Sequence, residues 1–190
     1  MKLSILTRVA QLAAGLTAAF AFILLAGCGG SYGGGGGMGS CGIYGGPCPT
    51  TPPMATDCSV MAAGPNVTID LNYGLAACND QTYSAIRGFS TDNAHSQVIK
   101  IPIHSNVTFT ASTGAPHTAD FLGNSFPATD TNPATASVAG ADISSANFST
   151  GPLALGVSSA VYRADVAGVY YFGCHFHYVT FGERSVLIVQ

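Results

Sequence analysis

Two segments of this 190-residue chain carry side chains that can do chemistry. The first is Val107-Thr-Phe-Thr-Ala-Ser-Thr-Gly-Ala-Pro-His117-Thr-Ala-Asp-Phe121. It reads as a strand, a turn through Gly114 to Pro116, and a histidine opening the next strand. The second is Ala167-Gly-Val-Tyr-Tyr-Phe-Gly-Cys174-His-Phe-His177-Tyr-Val-Thr-Phe-Gly-Glu183-Arg-Ser-Val-Leu-Ile-Val189. Here a strand ends at a cysteine, a loop carries a histidine three residues on, and a last strand closes the chain. Thiolate and imidazole are transition-metal donors, whereas a cysteine met alone would read as a small buried hydrophobe. His175 lies next to Cys174 and should point to the opposite side in extended backbone. His95 and His104 sit in polar turn contexts that face them to solvent.

In combination these segments resemble the cupredoxins, the small blue-copper proteins such as plastocyanin and azurin. The likeness rests on Pro116-His117 at a strand start, on Tyr170-Tyr-Phe172 leading into Cys174-His-Phe-His177, and on the Val-rich closing strand. It extends over roughly residues 82–190, including the approach Val98-Ile-Lys-Ile-Pro-Ile-His-Ser-Asn-Val-Thr-Phe109. The resemblance implies one copper ion held by His117, Cys174 and His177. A thiolate and two imidazoles form the trigonal set that suits both copper oxidation states. Members of the family usually add a weak axial Met after the loop histidine, yet the four Met residues here are Met1, Met38, Met54 and Met61. Aligning the closing strand puts Glu183 at that axial position, and a shorter alignment of the loop points at Thr180 instead. A carboxylate there would favour Cu(II) and lower the reduction potential. Glu183 could equally be a surface residue at the start of the last strand. The Cys174-His175 pair also resembles that of multicopper oxidases, but five histidines cannot populate a multinuclear copper cluster. The expected role is therefore that of an electron carrier or metal-binding protein and not an enzyme.

Six cysteines are present. Cys28 ends Leu25-Ala26-Gly27-Cys28, which resembles the bacterial lipobox, and it follows Lys2, Arg8 and the apolar run Val9 to Ala26. The resemblance implies cleavage after residue 27 and acylation of Cys28, and the competing reading is an uncleaved membrane anchor. Both put the rest of the chain outside the cytoplasm, where disulfides persist, tethered to the periplasmic or cell-surface side of a membrane. Cys41, Cys48, Cys58 and Cys78 then remain, with three possible pairings. Cys41 with Cys48 and Cys58 with Cys78 is the favoured pairing, since the first encloses a short Gly-rich loop and the second would staple the entry to the domain. Their spacing fits neither a zinc site nor a Cys-x-x-Cys redox pair.

The elements that must position these groups follow a β pattern. Short segments rich in Val, Ile, Thr, Phe and Tyr alternate with Gly, Pro, Asn and Asp, and no window has a helical repeat. Strands are expected at 67–71, 83–89, 96–102, 106–112, 117–121, 158–163, 168–174 and 184–189. Seven or eight short strands suggest an all-β Greek-key sandwich. The stretch 123–157 reads as a long irregular connection or the place for a short helix. The expected organisation is a signal at 1–27, a Gly/Pro-rich flexible linker at 28–64 and a copper domain at 65–190. Half of the 24 glycines fall between Gly27 and Gly46, so the glycine excess belongs to the linker. That segment is no phosphate loop, since it has no preceding strand, no following helix and no Lys. Charged residues make up 8% against the usual figure of about 25%, and the net charge is −3, which excludes a basic nucleic-acid binder. The expected partners are redox proteins and, through Cys28, a membrane. Copper delivery or resistance, and a metal-free interaction module, are the alternatives.

Overall fold

The computed structural model describes residues 56–190 and the backbone of one short antiparallel pair, β1 (Ser40–Cys41) with β2 (Gly46–Pro47). The leader, Cys28, Cys48 and most of the linker lie outside the described residues, as does the side chain of Cys41. The chain divides into two units, Met1–Pro49 and Thr50–Gln190. No helix among the described residues is long and apolar enough to cross a membrane.

The second unit is a β-sandwich. Its strands are β3 (Ser59–Met61), β4 (Asn66–Leu71), β5 (Cys78–Asp80), β6 (Ser84–Ile86), β7 (Phe89–Ser90), β8 (Val98–Ile101), β9 (Ser105–Ala111), β10 (Asp120–Gly123), β11 (Tyr162–Ala164), β12 (Gly168–Gly173) and β13 (Arg184–Val189). One sheet runs β10-β12-β13-β8-β3, the other runs β11-β9-β4-β7, and β5 and β6 form a separate hairpin. Both large sheets are mixed: β13 and β3 each pair parallel to β8, and β4 pairs parallel to β9. Parallel neighbours arise because the chain crosses between the sheets after β3, β7, β8, β9, β10 and β11.

Alternation builds the core. In β9, Ser105, Val107, Phe109 and Ala111 are buried while Asn106, Thr108 and Thr110 are partly exposed, the period of two that sends alternate side chains to opposite faces. Val67, Ile69 and Leu71 of β4 point the same way, and Phe172, Leu187 and Val189 answer from the other sheet. Phe109 lies with its ring centroid 6.2 Å from Phe172, 6.3 Å from Phe148 and 6.4 Å from Tyr162. Burying a ring of this size stabilises by roughly 1.5–3 kcal/mol. Apolar side chains occupy both faces of β8 (Val98 against Ile99 and Ile101) and of β13 (Val186 against Leu187 and Val189), because the outer face of their sheet is covered too. Cys58, Ile86, Val98 and Val186 form a second small cluster there. Cys58 and Cys78 are joined by a disulfide, with a Cα–Cα separation of 6.1 Å.

Several boundaries differ from the sequence expectation. The folded unit starts before residue 65, because Ser59–Met61 pairs with β8 and Cys58 is tied to Cys78, so the end of the expected linker is sheet edge. The segment 83–89 splits into β6 and β7 around Gly88, whose φ of +88° interrupts extended backbone. His117 to Ala119 precede β10 and pair with the long connection instead, through a bridge of His117 to Leu153. The connection from 124 to 157 contains no helix or named strand. Buried Ile143, Phe148 and Leu153 fasten it to the core. The single helix among the described residues, α1 (Tyr178–Phe181), lies where no helical repeat was visible, inside the loop joining β12 to β13.

Candidate metal centre

The donors come from two connections at one end of the sandwich. His117 sits where the chain passes from β9 toward β10, and Cys174, His177 and Glu183 lie on the loop from β12 to β13. That loop closes on itself. The Cys174 N–H donates to the Glu183 carbonyl at 3.1 Å, and the Cys174 carbonyl accepts from the N–H groups of His177 and Tyr178 at 3.0 and 2.8 Å. α1 then ends at Gly182, whose left-handed φ of +70° returns the chain so that Glu183 N–H reaches the His177 carbonyl at 3.3 Å. One short helical turn thus brings three donors of a ten-residue loop to one point.

One ligand atom from each of His117, Cys174, His177 and Glu183 lies within 4.8 Å of the others. Cys174 Sγ is 3.9 Å from His117 Nδ1 and 3.4 Å from His177 Nδ1. A trigonal metal with nitrogen at about 2.0 Å and sulfur at about 2.3 Å would separate the two donors by about 3.8 Å, which these values bracket. The Glu183 carboxylate lies 2.8 and 2.9 Å from His117 Nδ1 and 3.0 Å from His177 Nδ1. It is fully buried, so the reading of Glu183 as a surface residue fails, while Thr180 is exposed. His117 Nε2 donates to the Thr113 carbonyl, which can only accept. This fixes the tautomer that leaves Nδ1 free to present a lone pair to a metal. The donor set therefore fits a copper ion.

The electrostatics are those of a cation site. Burial, and behind it the Glu183 charge, push the Cys174 thiol up to about 12, against the Thr118 N–H, which approaches Sγ at 3.4 Å. For His117, burial lowers the pKa, but the hydrogen bond and charge of Glu183 outweigh it and the net shift is upward. For His177, burial and the neighbouring His117 prevail over Glu183, and the shift is downward. Without metal, burial and the Glu183 charge disfavour the Cys174 thiolate, and Glu183 favours a proton on His117. A divalent cation replaces both protons and turns the same carboxylate from a repulsive neighbour of the thiolate into a partner of the ion.

Sequence reasoning missed part of the surroundings. The Tyr73 ring lies against both imidazoles, with centroids 5.8 Å from His117 and 4.6 Å from His177, and stacks on Phe181 at 4.5 Å. Gly88 backs the Glu183 side chain, for a Cβ there would lie 2.5 Å from Glu183 Cγ. Neither residue is near the ligand motifs in sequence. His95 and His104 lie away from the centre, with side chains 76% and 70% exposed.

No known family profile matches the chain, and no curated protein matches it. Among solved structures the chain is similar to rusticyanin from Thiobacillus ferrooxidans, at 19% identity over 72% of this chain and 85% of that one, with a TM-score of 0.44. It is similar to a purple cupredoxin from Nitrosopumilus maritimus at 22% identity over 65% of this chain and 99% of that one, with a TM-score of 0.38. It is also similar to a Cu(I) form of a variant amicyanin, at 12% identity over 68% and 86% of the two chains, with a TM-score of 0.36. The second unit itself is an all-β sandwich of two mixed sheets.

Proposed function

We propose that this protein is an extracytoplasmic, lipid-anchored carrier of single electrons. It would hold one copper ion through His117, Cys174 and His177, with Glu183 as fourth donor. The observation that carries the reading is the convergence of these four side chains, three of them fully buried. Bound copper would supply a reversible one-electron couple. The chain's own part is to hold the donors still. The closed loop from Cys174 to Glu183 fixes three of them, and the Thr113 carbonyl and the Glu183 carboxylate orient the His117 ring. Electron exchange needs no acid, base or nucleophile, so the protein acts as a carrier and not as an enzyme. The exit is His177, whose side chain is 12% exposed against 0% for His117. Exposed Phe176, Val179 and Phe181 surround it with an apolar face for a redox partner. The Leu25-Ala26-Gly27-Cys28 motif supports anchoring through Cys28.

The test is optical and electron paramagnetic resonance titration of the purified full-length protein with Cu(II), beside Cys174→Ser, followed by cycles of reduction and reoxidation. An intense thiolate-to-copper band saturating at one equivalent, absent from the variant and recovered through each cycle, supports the carrier. Loss of metal on reduction would assign copper delivery or resistance instead. A folded protein giving no band would leave a metal-free interaction module.

A further inference from the structure

A second group of donors lies behind Cys174. Ligand atoms of Asp120, Asp130 and His175 fall within 4.8 Å of one another. Asp120 is fully buried, at the start of β10. Its Oδ2 accepts from the Thr118 hydroxyl at 2.8 Å, but its Oδ1 has no hydrogen-bond partner. Asp130 repeats the arrangement on the following loop: one oxygen accepts from the Asn132 N–H at 2.8 Å, and Oδ2 is buried with no partner. Two buried carboxylate oxygens without donors repel each other and stay costly to desolvate unless a cation or a proton lies between them. His175 supplies the third donor. Its N–H donates to the Thr118 hydroxyl at 2.8 Å, which ties the backbone to the Asp120 side of the cluster, and its exposed side chain gives an entry from solvent.

From this geometry we infer that Asp120, Asp130 and His175 form a second metal site, distinct from the centre at Cys174, that takes one hard divalent cation of the manganese or iron(II) class. Two carboxylates and one imidazole make an oxygen-rich donor set, in contrast to the sulfur and two imidazoles of the first centre. Two negative charges match a divalent ion. Burial, and behind it the Asp130 charge, push the metal-free Asp120 carboxyl up to about 7 against the Ser149 and Thr118 hydroxyls, so the competing occupant is a shared proton. The two sites abut through Thr118, whose N–H faces Cys174 Sγ and whose hydroxyl serves both Asp120 and His175.

The test is titration of the full-length protein with Mn(II), following loss of the free-ion paramagnetic resonance signal. The wild type is compared with Asp120→Asn, Asp130→Asn, His175→Ala and Cys174→Ser. The expected result is one equivalent bound by the wild type and by Cys174→Ser, with affinity reduced roughly tenfold or more in each of the other three. His175→Ala changes only an exposed side chain and keeps the test decisive if an Asn variant unfolds. Absence of saturable binding to the wild type overturns the inference and leaves the shared proton as the occupant. Binding that survives His175→Ala unchanged, or that disappears in Cys174→Ser while persisting in Asp120→Asn, overturns it as well.

Discussion

Replacing Gly88 by Ala perturbs the metal centre from behind, without touching a ligand. The backbone there has φ of +88°, and the new methyl would lie 2.5 Å from Cγ and 3.2 Å from Cδ of Glu183. Glu183 is fully buried and held against both imidazoles, so its mid-chain carbon cannot swing away as an exposed side chain would. A left-handed φ costs an L-residue about 1–2 kcal/mol, and overpacking a filled site typically costs a further 1–3 kcal/mol or so. The sum is about 3 kcal/mol, equivalent to roughly 10 °C in Tm for a unit of this size. Gly64 provides the control, since its φ is +73° and nothing lies within 4 Å of a Cβ built there. Gly64→Ala should therefore cost only the backbone share, about 1 kcal/mol or roughly 4 °C. Calorimetric melting of both variants, with the copper spectrum recorded for each, makes the comparison. The expected result is a larger loss and a shifted charge-transfer band for Gly88→Ala alone. Equal melting shifts and identical spectra would refute the claim that Glu183 is fixed at the centre by the space Gly88 leaves.

Other perturbations follow from the same interactions. Copper must displace the proton of a thiol pushed up to about 12, so apparent affinity should rise about tenfold per pH unit for that proton. Competition with a chelator between roughly pH 6 and 9 measures this, and a pH-independent affinity would mean that Cys174 does not ligate. In metal-free protein the Asp120 carboxyl is raised to about 7, so its contribution to stability is present below its unfolded pKa of about 4. That contribution, of order a few kcal/mol, is lost as pH rises through about 7. Denaturant titrations across that range should show the decline in wild type and its absence in Asp120→Asn. The Cys58–Cys78 bridge spans a sequence separation of 20 and should contribute about 3 kcal/mol. Cys58→Ala with Cys78→Ala should lower Tm while leaving copper binding intact, because the bridge lies at the outer cluster, away from the centre.

The strands best read from sequence are those with one buried face. Val107, Phe109 and Ala111 alternate with threonines and Asn106, and β9 lies within a residue of its expected bounds. Likewise β12 and β13, which end and begin at the ligand loop, were legible from Gly168 to Val189. The pairing partners were not, because parallel neighbours such as β4 with β9 depend on crossovers between sheets that leave no local pattern. At the site, His117, Cys174 and His177 carried a recognisable spacing. The burial of Glu183 was undecidable from sequence, since it depends on Gly88 and on the turn through Gly182. Tyr73 and Asp130 reach the two candidate sites from irregular loops, and only the packing of those loops brings them there.

X-ray absorption at the copper edge, on full-length protein loaded with one equivalent, counts the scatterers around the metal and so addresses the four-donor centre directly. The account predicts one sulfur at bonding distance with two imidazoles and one further oxygen, and the loss of sulfur alone in Cys174→Ser. A spectrum of nitrogen and oxygen scatterers without sulfur, unchanged in that variant, would contradict it.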